Sequence, residues 1–158
     1  MIQFALNLIL AMLWLFLSGG GTFARFLVGY VIGFVLLAVF QRVIPDSGYV
    51  RRTLAFGRFL AAFFREFLRS NFNIAVSVLS SRRESMYPDF VTYDVAGLTR
   101  VEILVLSHCI TLTPGTTTVD ISDNWETLVL HAFDARDPVA VRSGIDRGLR
   151  APLLAFTR

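Results

Sequence analysis

The sequence predicts a membrane α-helical hairpin followed by a small cytoplasmic α+β domain with a ferredoxin-like order of elements. Three observations predict it. Two apolar runs, FALNLILAMLWLFL at 4–17 and FLVGYVIGFVLLAVF at 26–40, flank a flexible SGGGT. A stretch at 51–80 places phenylalanines and arginines at helical spacing. From residue 85 the texture changes to the alternating, turn-punctuated segments of a soluble fold. The composition agrees: 54% of the 158 residues are hydrophobic, 17% are charged, and the mean hydropathy is +0.60. That is too apolar for an ordinary soluble domain and suits a small membrane protein with a soluble portion.

The hairpin comes first, over residues 1–43. A bilayer span needs ~20 apolar residues at ~1.5 Å each. Residues 1–17 just reach, and 22–41 reach comfortably. No basic segment precedes the first run and no A-x-A site follows it, so both are expected as retained helices rather than a cleaved signal. Arg42, Arg51, Arg52, Arg58, Arg65, Arg69, Arg82 and Arg83 follow the second run, whereas only Arg25 lies near the turn. Basic residues stay cytoplasmic, which places both termini inside and SGGGT outside. Gly29 and Gly33 form a G-x-x-x-G, a packing face for a closely approaching helix or simply glycine in a membrane helix. No Asp, Glu, His or Lys occurs between residues 1 and 41, so these spans carry no obvious ion relay.

Residues 44–84 form the second segment. On a helical wheel Phe56, Phe59, Leu60, Phe63, Phe67 and Ile74 share one side, and Arg51, Arg58, Arg65 and Arg69 take the opposite one. An arginine at the centre of a span costs about 2.5–3.5 kcal/mol on insertion scales. The pattern therefore predicts an amphipathic helix in the membrane interface, phenylalanines toward lipid. The alternative is a third membrane helix whose arginines meet protein or water. Glu66, the single acid of 47–83, is expected to pair with Arg69 at i,i+3.

Residues 85–158 read as the α+β domain. A strand is predicted at 87–95 and a helix at 98–113, with Leu98, Val101, Leu104, Val105 and Cys109 on its apolar side. Thr99 and Glu102 have capping-box spacing. TTTVDIS at 116–122, a turn at Asp123-Asn124, and WETLVLHAF at 125–133 make a hairpin. Trp125, Thr127, Val129, His131 and Phe133 share one strand face; Glu126, Leu128, Leu130 and Ala132 share the other. Asp137-Pro138 opens a last helix, with Val141, Ile145, Leu149 and Leu153 as its apolar side. Strand–helix–strand–strand–helix is close to a ferredoxin-like unit without its last strand. About 70 residues make a small core, which predicts docking onto something else.

Charge and motif content exclude several function classes. Residues 1–84 hold nine Arg against three acids, a net of +6, and residues 85–158 hold six Arg against nine acids, a net of −3. The basic half is the apolar half, which fits a lipid surface and not nucleic acid. Cys109 is alone, so no disulfide framework or Cys-rich metal site is expected. Ser107 and His108 are adjacent, so their side chains diverge by about 100° on a helix and make no nucleophile–base pair. His131 on a strand face is expected to be packed or half-exposed. Asp120 and Asp134 could lie close on neighbouring strands, but no third ligand is implied. No catalytic residue, metal or cofactor is expected. SHCITLTPGTTTVD at 107–120 ends a helix, turns at Pro114-Gly115 and launches a strand, its hydroxyls serving caps and turns.

SHCITLTPGTTTVDIS followed by LVLHAFDARDP resembles the core of the MnhE (MrpE) family, the E-type subunits of the Mrp-type Na+/H+ antiporter, and WLFLSGG at 14–20 resembles that family's beginning. Cys109 departs from it, where Ser is more usual. The resemblance implies a non-catalytic accessory subunit of a multisubunit cation/proton antiporter in the bacterial plasma membrane. It implies other antiporter subunits as partners, with the larger ones carrying the ion chemistry. Under it, Thr111, Thr113, Pro114, Gly115, Thr116, Asp120 and His131 are expected to form a subunit-docking element. The alternative is a stand-alone regulator held on the membrane surface by residues 51–80.

Overall fold

The computed structural model describes residues 2–40, 48–79 and 87–158. Arg42, Arg82, Arg83 and the expected domain boundaries near 43 and 84 lie outside the described residues. The chain forms two compact units, Met1–Leu54 and Ala55–Arg158.

In the first unit, helix α1 (Ile2–Leu17) turns at Ser18–Gly21 into helix α2 (Phe23–Val39). Gly19 takes a left-handed φ of +70°, a conformation cheap only for glycine, and Arg25 Nη1 donates to Ser18 O at 3.0 Å across the turn. The packing is inside out. The buried residues are Gln3, Asn7 and Ala11 of α1 and Gly29, Gly33 and Leu37 of α2. The large apolar side chains, among them Ile2, Ile9, Phe16, Leu17, Phe23 and Val39, point outward. Asn7 Nδ2 donates to the Tyr49 hydroxyl at 2.9 Å, and the Tyr49 and Tyr30 hydroxyls are 2.9 Å apart. Tyr49 opens a third helix, α3 (Tyr49–Leu79), and its ring also meets Phe4 and Phe34. Among the described residues no helix is long and apolar enough to cross a membrane.

The second unit takes most of α3 and adds β1 (Asp89–Asp94), α4 (Arg100–Leu112), β2 (Thr116–Ile121), β3 (Thr127–Ala132), α5 (Pro138–Ile145) and α6 (Ala151–Thr157). The strands form one antiparallel sheet in the order β1-β3-β2, so β1 and β2 run parallel on either side of β3. Leu128 and Leu130 of β3, with Val91 and Tyr93 of β1, face the helices, as alternation demands. The core joins Tyr93, Leu128 and Leu130 to Ile103, Leu106 and Ile110 of α4, and to Ile145, Leu149 and Leu153 of the last helical run. The other sheet face is open; there Phe90 meets His131 edge to face at 5.4 Å.

A π-helical turn at Asp146–Arg150 joins α5 to α6. Pro152 lacks the N–H that would bond the Gly148 carbonyl and crowds it, so the local ladder must widen. The wider turn also keeps the core stripe together. Steps of four residues through 141, 145, 149 and 153 would drift about 120° on a regular helix. Asp137 caps the start by accepting from Ala140 N at 2.9 Å, and Pro138 occupies the first turn.

Two expectations about helix faces need correction. The phenylalanine side of residues 51–80 does not lie free for lipid. Phe59 belongs to the core of the second unit, Phe63 packs against it, and Phe56 meets Phe156 at 5.0 Å. A three-stranded sheet with two helical covers is a thin core, and α3 completes it. In α4 the inward residues are Ile103, Leu106 and Ile110 with Glu102, Ser107 and Cys109, while Val101, Leu104 and Val105 face outward. The helix carries apolar residues on two sides, and the anchoring of Glu102 decides between them. A third difference concerns β3, which begins at Thr127 and not at 125, because Trp125 sits in the turn with a left-handed φ of 60°.

Glu102 is only 4% exposed. It accepts from the Thr157 hydroxyl at 2.5 Å and closes the capping box with Thr99, and Arg158 stands 3.5 Å away. The Thr157 hydrogen bond, aided by Thr99 and Arg158 and opposed by burial, holds its carboxyl at about 2. The folded value lies below the unfolded one, near 4.3, so the ionised group stabilises the fold above that value. That stability, on the order of 3 kcal/mol, is lost as pH falls from about 5 to 2. Urea unfolding at several pH values should show this slope, and Glu102→Gln should flatten it while lowering stability at neutral pH.

Candidate functional site

The 107–120 stretch occupies the join between α4 and β2, and its hydroxyls tie the two together. Thr113 Oγ1 donates to Ile110 O at 2.8 Å and Thr111 Oγ1 to Ser107 O at 2.9 Å. Thr118 N donates to Thr111 Oγ1 at 3.2 Å, Thr118 Oγ1 to Ser107 O at 3.2 Å, and Thr116 Oγ1 to Ile110 O at 3.4 Å. The two bonds to Ile110 O serve the C-terminal end of α4, where Pro114 has no N–H to continue the helix, and the bonds from Thr118 pin β2 to the last turns of the helix. Gly115 takes a φ of +104°, which suits glycine, and its Cα faces Ile74 of α3.

Beneath this turn lies a cleft of about 230 Å³. Glu66 and Ser70 of α3, Thr113–Thr116, Asp134 and Gly144 border it. Glu66 does not pair with Arg69: among the described residues its carboxylate rests over Gly148, where a β-carbon would come within 3.4 Å of it. Asp134 is held below the usual carboxylate range by Arg136, whose Nε donates to it at 2.8 Å. A second, larger groove of about 540 Å³ runs between α4 and the β2 edge, lined by Leu104, His108, Leu112, Val119 and Asp120.

The expected docking residues separate into three places. Thr111, Thr113, Pro114, Gly115 and Thr116 form the turn, with the Thr113 side chain buried. Asp120 follows a bulge in β2 and accepts from Ile121 N at 2.8 Å. His131 lies exposed on the outer sheet face. Asp120 and Asp134 are not neighbours: Asp120 pairs with Val129, five residues from Asp134 along the chain, roughly 15 Å at strand rise. Ser107 and His108 stand 3.5 Å apart, but both side chains are drawn to Leu104 O, at 2.9 and 2.7 Å. With Nδ1–H engaged there, His108 has no lone pair on that nitrogen to take a proton from Ser107. Burial raises the Cys109 thiol above its usual range, away from the thiolate that reactive cysteines need. Sequence reasoning missed Gly148 as the seat of Glu66. The only signal was Pro152 four residues on, marking a disturbed helix.

The fold is thus an inside-out helical hairpin and an α+β unit built around a threonine-stapled helix–strand turn. The chain belongs to the MNHE family, described as Na+/H+ ion antiporter subunit, which it matches over residues 7–156. It is 35% identical over 133 residues to the E1-type Na+/H+ antiporter subunit of Staphylococcus haemolyticus (strain JCSC1435), covering 84% of this chain and 83% of that one. It is 34% identical over 135 residues to the E-type Na+/H+ antiporter subunit of Bacillus subtilis (strain 168), covering 85% of each. Among solved structures, a chain of the Mrp complex from Dietzia sp. DQ12-45-1b shares 25% identity at a TM-score of 0.46, covering 63% of this chain and 96% of that one. A TM-score of that size is too low to carry over contacts.

Proposed function

We propose that this chain is a non-catalytic accessory subunit of a multisubunit cation/proton antiporter, needed for assembly and stability of the complex. Its partners are the other antiporter subunits and membrane lipid. The carrying observation is the family match from residue 7 to 156, which spans both units. The inside-out hairpin supports a place in the bacterial plasma membrane. Glycine, alanine and amide side chains form its seam and bulky apolar ones its surface, the arrangement lipid favours. Helices of 16 and 17 residues are about 25 Å long, and local thinning of the bilayer accommodates them. The arginine asymmetry of the sequence supports a cytoplasmic side for the α+β unit.

In this reading the turn at Thr113–Thr116 docks on a neighbouring subunit. Thr111 and Thr113 hold its shape, Pro114, Gly115 and Thr116 present it, and Asp120 and His131 widen the contact. The test replaces Pro114→Ala and isolates the complex through a tag on another subunit. Copurification should fall while the variant chain still folds. Full copurification with normal sodium-coupled proton exchange rejects docking through this turn. Glu66→Gln should leave exchange within about twofold, because Glu66 rests on the second unit's own helix and not in a membrane span. Loss of exchange in a fully assembled complex overturns that. A single small species on blue-native electrophoresis would instead favour a stand-alone membrane-surface protein.

A further inference from the structure

We propose, resting on the membrane reading above, that α3 lies in the plane of an anionic bilayer surface. Leu60, Phe64, Leu68 and Phe72 enter the acyl-chain boundary, and Arg58, Arg65 and Arg69 engage the lipid phosphates.

The packing divides α3 into three stripes. The first, with Ala55, Phe59 and Phe63, is turned into the second unit, and Glu66 and Ile74 follow it onto Gly148 and Gly115. The second, Leu60, Phe64, Leu68 and Phe72, covers about 120° of the wheel. Its exposure rises from 37% at Leu60 to 70% at Phe72. The third, Arg58, Arg65 and Arg69, lies within about 40° of arc beside the Phe72 end of the apolar stripe. Among the described residues none of these three arginines has an ion-pair partner. The only acid of α3, Glu66, sits on the protein-facing side. An apolar stripe bordered by unpaired cations and free of acids complements an anionic leaflet. A proteinaceous groove would have to supply three carboxylates at the same spacing. A third span is excluded by the first stripe. Residues 55–74 carry a folded unit with polar loops along one side, and a bilayer core has no room for them.

The test uses the full-length chain in nanodiscs of phosphatidylglycerol and phosphatidylcholine whose acyl chains are brominated at known depths. Phe64→Cys, Leu68→Cys and Phe72→Cys, each in a Cys109→Ser background, carry an environment-sensitive fluorophore. Leu27→Cys reports the hairpin, and Phe59→Cys the protein-facing stripe. Quenching at 64, 68 and 72 should come from the same shallow bromine position. The Phe59 probe should stay unquenched. In phosphatidylcholine alone, or with Arg58, Arg65 and Arg69 all changed to Gln, quenching at the three sites should fall at least about twofold. A depth that changes steadily from 64 to 72, by ~12 Å for a span, overturns the proposal. So does the absence of quenching at all three sites while Leu27→Cys is quenched, which leaves the membrane reading standing. Absence at Leu27→Cys as well rejects the membrane reading itself. Unchanged quenching in neutral lipid overturns the role of the arginines.

Discussion

Phe59→Ala should destabilise the unit Ala55–Arg158 by about 3–5 kcal/mol, the range for truncating a buried aromatic. Phe59 is only 7% exposed and stands in one core with Tyr93, Leu106, Leu130 and Leu153, its ring stacked 6.5 Å from Phe156. Alanine would leave a cavity between α3 and α6, and a small unit has little surplus stability to absorb it. Phe64, five residues further on and 56% exposed, is the control: Phe64→Ala should change stability by no more than about 0.5 kcal/mol. Trp125 packs against the same core, so its fluorescence in a Trp14→Phe background follows this unit alone. Urea unfolding in mild detergent should show a midpoint lower by roughly 2 M for Phe59→Ala and unmoved for Phe64→Ala. Equal, small effects of the two substitutions would mean that α3 does not share the core.

That contrast marks where the sequence stops being legible. Its periodicity gave α3 an amphipathic pattern, but a wheel shows only that a face is apolar, not what covers it. Phe59 and Phe64 differ by five residues and look alike in sequence; the sheet's need for a third helical cover separates them. Local chemistry was more readable. The Thr99–Glu102 capping box, the Asp137 cap with Pro138, and the alternation that turns Leu128 and Leu130 inward all follow from neighbours within four residues. The outward placement of Val101, Leu104 and Val105 was not readable, because it depends on Thr157 and Arg158 drawing Glu102 inward from more than fifty residues away. The threonines of 111–118 were legible as capping and turn groups: the Thr111 and Thr113 hydroxyls bond back onto α4, and those of Thr116 and Thr118 reach across the α4–β2 join. The cleft they border was not, since its other wall is Glu66 and Ser70 of α3, more than forty residues away in sequence.

In the hairpin, Gly29 and Gly33 occupy similar positions in sequence but should respond differently to a side chain. A β-carbon at Gly29 would meet the Trp14 β-carbon at 2.7 Å and the Ala11 carbonyl oxygen at 2.9 Å. Neither can move without moving α1, so Gly29→Ala should push the helices apart. A cost of about 1–3 kcal/mol is expected for such overpacking, and more for Gly29→Leu. At Gly33 the closest obstacle is the amide oxygen of Asn7, the far end of a side chain. Among the described residues that buried oxygen has no hydrogen-bond partner, although the amide nitrogen holds Tyr49. Gly33→Ala should therefore break the Asn7–Tyr49 bond more than the helix pairing, and Asn7→Ala should relieve most of the clash. The pair Gly33→Ala with Asn7→Ala should sit closer to wild type than the sum of the single changes, a coupling of about 1 kcal/mol or more. Asn7→Ala should not rescue Gly29→Ala, because the atoms in the way there belong to Trp14 and the α1 backbone. Disulfide trapping between cysteines placed on α1 and α2, in a Cys109→Ser background, reads the helix separation directly. Strong rescue of Gly29→Ala by Asn7→Ala, or none of Gly33→Ala, would show that the seam is not held by these contacts.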